Sequence, residues 1–137
     1  MIVFLDTNII LDVLLKREPF FQASYDVLRL AATDNLECFV SATAITDVFY
    51  VLRKALSDRA LAKNKLEGLL QIISVADVLT EDVYAALASN MPDFEDALVA
   101  AIATRWKAKY IITRNGKDYD LSPVPAILPG ELRVGSD

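Results

Sequence analysis

The sequence predicts a three-layer α/β/α fold with a mainly parallel central sheet. Short apolar runs of strand length (IVFL, ECFVS, ISVADV and YIIT) alternate with longer segments whose apolar residues recur at helical spacing. Strands separated by helices require crossover connections, and these cover both faces of a parallel sheet. No repeat, low-complexity tract or linker interrupts the 137 residues, so a single domain spanning 1–137 is expected, long enough to bury a core.

Residues 2–5 read as the first buried strand, followed by a short helix over NIILDVLL. Pro19 is placed to open the next helix as its first residue, and FFQASYDVLRLAAT carries Phe21, Tyr25, Leu28 and Ala32 at helical spacing. ECFVS is the second strand and ATAITDVFYVLRKAL a strongly apolar helix. Ser57 is expected to cap the helix that opens at Asp58. ISVADV is the third strand, TEDVYAALAS a short helix with a capping signal at Thr80, and DFEDALVAAIATRWK a longer helix. YIIT is the fourth strand, and a final short strand is expected between the prolines of SPVPAILPGEL. Connections over 20–34 and 42–72 hold extra helices, so a plain Rossmann unit is excluded.

The chain is 54% hydrophobic, yet Asp, Arg or Lys breaks every apolar run before it reaches membrane-spanning length. The N-terminus lacks a basic region and meets an acid at Asp6, so no signal peptide is expected. The lone Cys38 excludes an internal disulfide and a cysteine-clustered zinc site, and its strand-like surroundings predict a buried, inert thiol. A cytoplasmic protein without a membrane partner is expected. The count of zero histidines removes Ser-His-Asp and Cys-His nucleophiles, histidine acid/base catalysis and His-ligated zinc. Any chemistry falls to carboxylates, lysine, hydroxyls or a hard metal ion. A net charge of −5 opposes unaided binding of a polyanion, unless divalent cations occupy some of the acids.

In such a fold, residues leaving a strand and residues opening the next helix share the carboxyl rim of the sheet, where ligands bind. Asp6 leaves the first strand, Asp47 lies in the opening turns of the helix after the second, and Asp93 and Asp96 open the helix before the fourth. Asn115 and Asp118 follow the fourth strand in TRNGKDY. Each has a structural alternative. Asp6, Thr7 or Asn8 serves equally as a helix cap, Asp93 and Asp96 as first-turn acids, and Asp118 as a turn residue. Asp47 is the only charge in AITDVFYVL, a helix that otherwise reads as core, where an unpaired carboxylate is costly. Together these acids form a cluster that repels itself unless protons or cations intervene. Oxygen donors without His or Cys select Mg²⁺ or Mn²⁺ over zinc, which suits phosphoryl chemistry.

Four blocks in this order and spacing, LDTN, SATAITDVFYVLRK, DFEDALVAAIA and IITRNGKDY, resemble the PIN domain. More narrowly, they are similar to the ribonuclease toxins of prokaryotic type II toxin–antitoxin pairs. The resemblance runs from Met1 to about Pro129. It implies a PIN-like fold and a Mg²⁺- or Mn²⁺-dependent endoribonuclease that hydrolyses RNA, often a homodimer, inhibited by an antitoxin protein. It assigns Asp6, Asp47 and Asp96 as core acids. Many members carry Glu where this chain has Asp47, and some carry Asp where it has Asn115. Asn115 ligates through an amide oxygen without charge, so Asp118 is a candidate for the missing carboxylate, with Asp93 as a possible helper. Thr7, Asn8 and Thr113 are implied as orienting groups near the metal.

Arg114 and Lys117 are the RNA-contact candidates beside the acids. Arg53, Lys54, Arg59, Lys63 and Lys65 read as a solvated helix face. Trp106 and Tyr110 are able to stack on bases, although Trp106 at the end of an apolar helix reads as packing. Two competing functions remain open. One is a receiver-type phosphoacceptor or aspartyl-phosphate phosphatase, with Asp77 as a weak match to the nucleophile. The other is a catalytically weakened PIN-like interaction module, motivated by Asn115.

Overall fold

The computed structural model describes residues 1–33 and 35–134. Five strands, β1 (Ile2–Leu5), β2 (Glu37–Ser41), β3 (Ser74–Ala76), β4 (Tyr110–Ile112) and β5 (Ala126–Ile127), form one sheet in the order β3-β2-β1-β4-β5. Every pairing is parallel: Val3 lies opposite Cys38 on one side and Tyr110 on the other. The helices are α1 (Thr7–Leu14), α2 (Phe21–Ala32), α3 (Ala42–Leu56), α4 (Arg59–Leu69), α5 (Thr80–Ala88) and α6 (Phe94–Arg105).

Strand periodicity divides the core in two. Val3 and Leu5 of β1 and Ile112 of β4 enter one apolar cluster with residues of α1, α2, α3 and α4. Phe4 and Ile111, one residue out of phase, enter a second cluster with α5 and α6. Side chains as fully buried as Phe4, Ile111 and Ile112 each contribute about 1.5–3 kcal/mol relative to exposure. A strand buried on both faces reads as a continuous apolar run, which is why IVFL and YII carry no polar alternation. The helix faces follow from handedness. The steps β1→β2→β3 run in one direction and put α1 to α4 on one face. The return to β4 reverses direction, and a right-handed crossover then places α5 and α6 on the other.

The predicted architecture is the observed one, with corrections in detail. Pro19 is not the first residue of α2; Phe20 is its N-cap and the helix opens at Phe21. Its buried face is Ser24, Val27, Leu28 and Ala31, while Tyr25 is exposed, because the apolar stripe is rotated from the predicted one. Ser57 does not cap α4. It ends α3 in the left-handed conformation (φ 53°), and Asp58 caps α4 by accepting from the Leu61 amide at 3.0 Å. In α5 the capping acceptor is Asp82, which takes the Leu79 amide at 2.9 Å, and Thr80 is the first helical residue. Cys38 is buried as expected, and burial pushes its thiol up to about 12. Among the described residues, no helix is long and apolar enough to cross a membrane.

Asp82 is 2% exposed and grips the Arg105 guanidinium through contacts of 2.9–3.1 Å, joining α5 to α6. Arg105 also reaches the Asp77 carbonyl at 2.8 Å, which ties β3 to the same pair. Burial opposes the charge on Asp82, but the Arg105 hydrogen bonds, the Leu79 amide and the guanidinium charge outweigh it and hold its carboxyl below the usual range. Arg105→Met therefore strands a buried carboxylate and is expected to cost about 3 kcal/mol at pH 7. The loss should shrink as pH falls toward about 4, because protonation removes the unpaired charge. Denaturant melts of both proteins across that range check it; a pH-independent loss would assign the effect to packing alone.

Candidate active site

The strand order reverses between β1 and β4, so the crevice outside their carboxyl ends is where a ligand is expected. Asp6 leaves β1 there, and its backbone amide still donates to Ile112 of β4 at 3.0 Å. Its side chain caps α1 by accepting from the Thr7 amide at 2.8 Å. The other carboxylate oxygen accepts from the Thr113 hydroxyl at 2.7 Å, across 107 residues of sequence. Thr113 is 0% exposed, and its oxygen in turn accepts from the Asn115 amide at 3.0 Å. Cap and site are thus the same carboxylate. Asn8, the next polar residue of α1 after Thr7, has a buried Oδ1 with no partner among the described residues.

Asp96 arrives from the opposite layer. Asp93 is the N-cap of α6 and accepts from the Asp96 amide at 2.9 Å, fixing the first turn. The Asp96 carboxylate accepts from the Tyr119 hydroxyl at 3.3 Å. Tyr119 ends the 3₁₀ turn Gly116–Tyr119, its body buried in the α5–α6 cluster. The sequence reading missed this residue, although an aromatic one position after Asp118 in a short turn is a fair anchor signal. Asp118 is exposed in the same turn, with its amide donating to the Asn115 carbonyl at 3.0 Å.

The electrostatics join these groups. Burial raises the Asp96 carboxyl to about 6, helped by the charges of Asp93, Asp6 and Asp118 and opposed by the Tyr119 hydroxyl. Burial also raises Asp6, with Asp118 adding to the shift and Thr113, Thr7 and Arg114 opposing it. The Tyr119 phenol is pushed far above its ordinary range by burial and the same acids, so it remains a donor.

Asp47 is exposed on α3 and is not among the charges that act on Asp6 and Asp96. The inference that a lone acid in an apolar helix must be special applies instead to Asp12 in NIILDVLL, to which the sequence reading gave no role. Asp12 is 0% exposed and accepts from Arg114 Nε at 2.7 Å and Nη2 at 3.2 Å, with Arg17 at 3.9 Å. Arg114 also lies over Phe20, 3.9 Å from the ring centroid. Lys117 is exposed. Arg53, Lys54, Arg59 and Lys63 are exposed and Lys65 half-buried, while Trp106 packs on Phe39 at 4.8 Å between centroids.

Among the described residues no three acids stand close enough to form a ready-made metal cage. The donor set nevertheless fits a hard divalent cation: it is all oxygen, and Asp6 and Asp96 are held above their ordinary range by burial and neighbouring acids.

In metal-free protein the raised Asp96 carboxyl costs stability as pH rises from about 4 to about 6, and the cost is level above that. Asp96→Asn removes it. The variant should melt with the parent near pH 4 and exceed it by roughly 1–2 kcal/mol at neutral pH, allowing for solvent screening. Melts in EDTA read this directly. A variant weaker than the parent at neutral pH would make Asp96 a first-turn acid only.

The family model of the PIN domain matches residues 2–117. Ribonuclease VapC1 of Aquifex aeolicus (strain VF5) is 28% identical over 120 residues, which cover 85% of this chain and 83% of that protein. The fold is similar to VapBC2 from Rickettsia felis, solved bound to a DNA fragment from their promoter, with a TM-score of 0.76 and 20% identity. That match covers 93% of this chain and 98% of the other. A toxin-antitoxin complex from Klebsiella pneumoniae gives a TM-score of 0.71 at 19% identity, covering 95% and 99%. With its family model matched over most of its length, this chain belongs to the PIN-domain family.

Proposed function

We propose that the chain is a Mg²⁺- or Mn²⁺-dependent endoribonuclease, the cytoplasmic toxin of a toxin–antitoxin pair. The observation that carries the chemistry is the Thr113-bound Asp6 carboxylate at the β1/β4 crevice, with Asp96 and Asp118 within range of its charge and two of the carboxyls above their ordinary range. The biological role draws on the relative named as a ribonuclease and on neighbours described as VapBC and toxin-antitoxin complexes. An antitoxin partner and a homodimer belong to this reading, and exposed Tyr84, Leu87 and Leu121 offer apolar surface for association.

Asp6 and Asp96 are the residues to hold the cation, with Asp118 and the Asn115 amide as further oxygen donors and Asp47 available from α3. A divalent ion there polarises a phosphoryl oxygen and lowers the pKa of the hydrolytic water. Thr113 and the Thr7 amide fix both oxygens of Asp6. Tyr119 and Asp93 fix Asp96, one through its carboxylate and the other through its amide. Asn8, with its unpartnered oxygen, is placed to orient a polar ligand. Arg114 and Lys117 bring positive charge to the turn that meets the phosphate backbone.

The receiver-type reading gains nothing from the geometry. Asp77 follows β3, which β2 separates from β1, and it pairs with Arg105 at 3.2 Å. The weakened-module reading remains motivated by Asn115, and Mn²⁺ titration separates it from the enzyme.

Purified protein should cleave single-stranded or structured RNA with Mg²⁺ or Mn²⁺ and stop in excess EDTA; cleavage after rigorous chelation would overturn the metal mechanism. Asp118→Asn is expected to lower activity more than Asn115→Ala. Equal activity in Asp118→Asn and the parent would return Asp118 to a turn role. Thr113→Val frees one oxygen of Asp6, and both Mn²⁺ affinity and turnover should fall roughly 10–100-fold. An unchanged thermal shift with Mn²⁺ would remove Thr113 from the site.

A further inference from the structure

Next along the chain from Thr113, Arg114 lines a pocket of about 620 Å³ together with Pro19, Phe20, Ser24, Leu128 and Glu131. We propose that this pocket holds an unpaired nucleobase of the RNA strand, next to the phosphodiester bound at the acidic crevice. The inference rests on the ribonuclease reading above and adds a subsite to it.

Continuity is the first argument. Thr113 and Arg114 are consecutive: one donates to Asp6 and the other forms the pocket wall. A strand whose phosphate sits at Asp6 therefore has a neighbouring base within reach of the pocket. The second argument is chemical. Phe20 is 39% exposed and Leu128 49%, so flat and apolar side chains stand open at the mouth. The volume lies within the range of small-ligand sites, and the walls are mainly apolar. Unpaired bases are recognised by stacking on aromatic rings and on guanidinium planes, which Phe20 and Arg114 both supply.

Charge is the third. Asp12 consumes Nε and Nη2 of Arg114, which leaves Nη1 without a hydrogen bond to any described residue. The guanidinium is held over Phe20, so the cation is ordered before any ligand arrives. Asp12 meets the charge of Arg114 and Glu131 also lines the pocket, so the lining suits an uncharged base rather than a phosphate. A paired base cannot enter, so the pocket selects single strands or extruded bases.

The test is fluorescence anisotropy with a short, labelled, randomised single-stranded RNA in Ca²⁺, a hard cation that occupies oxygen donors, alongside the Mn²⁺ thermal shift of each protein. Phe20→Ala should weaken RNA binding about five- to a hundredfold, and Phe20→Trp should restore it. Leu128→Ser, at another exposed lining residue, should weaken it in the same sense. All three should keep the parent's Mn²⁺ shift. Phe20→Ala and Leu128→Ser binding RNA within about twofold of the parent would overturn the proposal. So would duplex RNA competing as well as single strands, or a lost Mn²⁺ shift in Phe20→Ala. Unchanged RNA affinity with altered sedimentation would give the pocket to a second copy of the chain. A parent that shows the Mn²⁺ shift but binds no RNA would fail the ribonuclease reading itself.

Discussion

The hydrogen bond from Thr113 to Asp6 is the contact on which the arrangement of the site depends. It closes the carboxyl ends of two adjacent parallel strands, β1 and β4, that are distant in sequence. Parallel pairing alone sets their register, but register fixes backbones, not side chains. A buried hydroxyl with a single acidic partner orients the carboxylate as well. Once Asp6 is set, α1 starts from it, and the turn after Thr113 carries Asn115, Asp118 and Tyr119 back toward Asp96.

The buried acids fall into two classes that differ in how their charge is met. Asp12 and Asp82 are enclosed and each is gripped by an arginine, Arg114 and Arg105. These are satisfied ion pairs whose removal leaves an unpaired charge. Asp6 accepts from a hydroxyl and an amide and Asp96 from a hydroxyl, neither touches an arginine, and burial raises both. Only the second class has unmet demand for positive charge, so burial of an acid does not mark the site here. Burial without a bound arginine does. Arg114 serves both classes, as partner of Asp12 and as a distant charge on Asp6.

The layer order, the strands and the carboxyl rim were legible in the sequence because apolar period and strand length report burial directly. Asp6 and Asp96 were legible for the same reason, since topology alone brings strand ends and helix starts together. Asp47 shows the limit. Its helix is apolar in composition, yet Thr43, Thr46, Asp47, Tyr50, Arg53 and Lys54 form an exposed side, so a count of neighbours overestimated its burial. Asp12 was overlooked because its partner, Arg114, lies 102 residues away, and no local pattern reveals a long-range ion pair. The misplaced starts of α2 and α4 have another origin. Ser57 and Asp58 are both good caps by type, and the choice between them turns on which one ends the preceding helix in a left-handed conformation.

Two helix N-termini, those of α1 and α6, open at the crevice, and their dipoles favour anions there. Their size decides what they are able to do. A helix terminus contributes about 0.3–1 kcal/mol to a nearby negative charge. Raising Asp96 from 3.8 to about 6 corresponds to roughly 1–2 kcal/mol against its charged form once screening is allowed for. Burial and the neighbouring acids therefore outweigh the dipoles, and the helix ends alone do not keep these carboxylates charged at mildly acidic pH. The capping amides still orient the oxygens, since Thr7 donates to Asp6 and the Asp96 amide is tied to Asp93. Orientation is thus supplied by the fold, while offsetting the cost of these ionised carboxylates falls, on the proposed reading, to a cation from outside it. A site built in that way is ordered before its ligand arrives and electrostatically complete only afterwards.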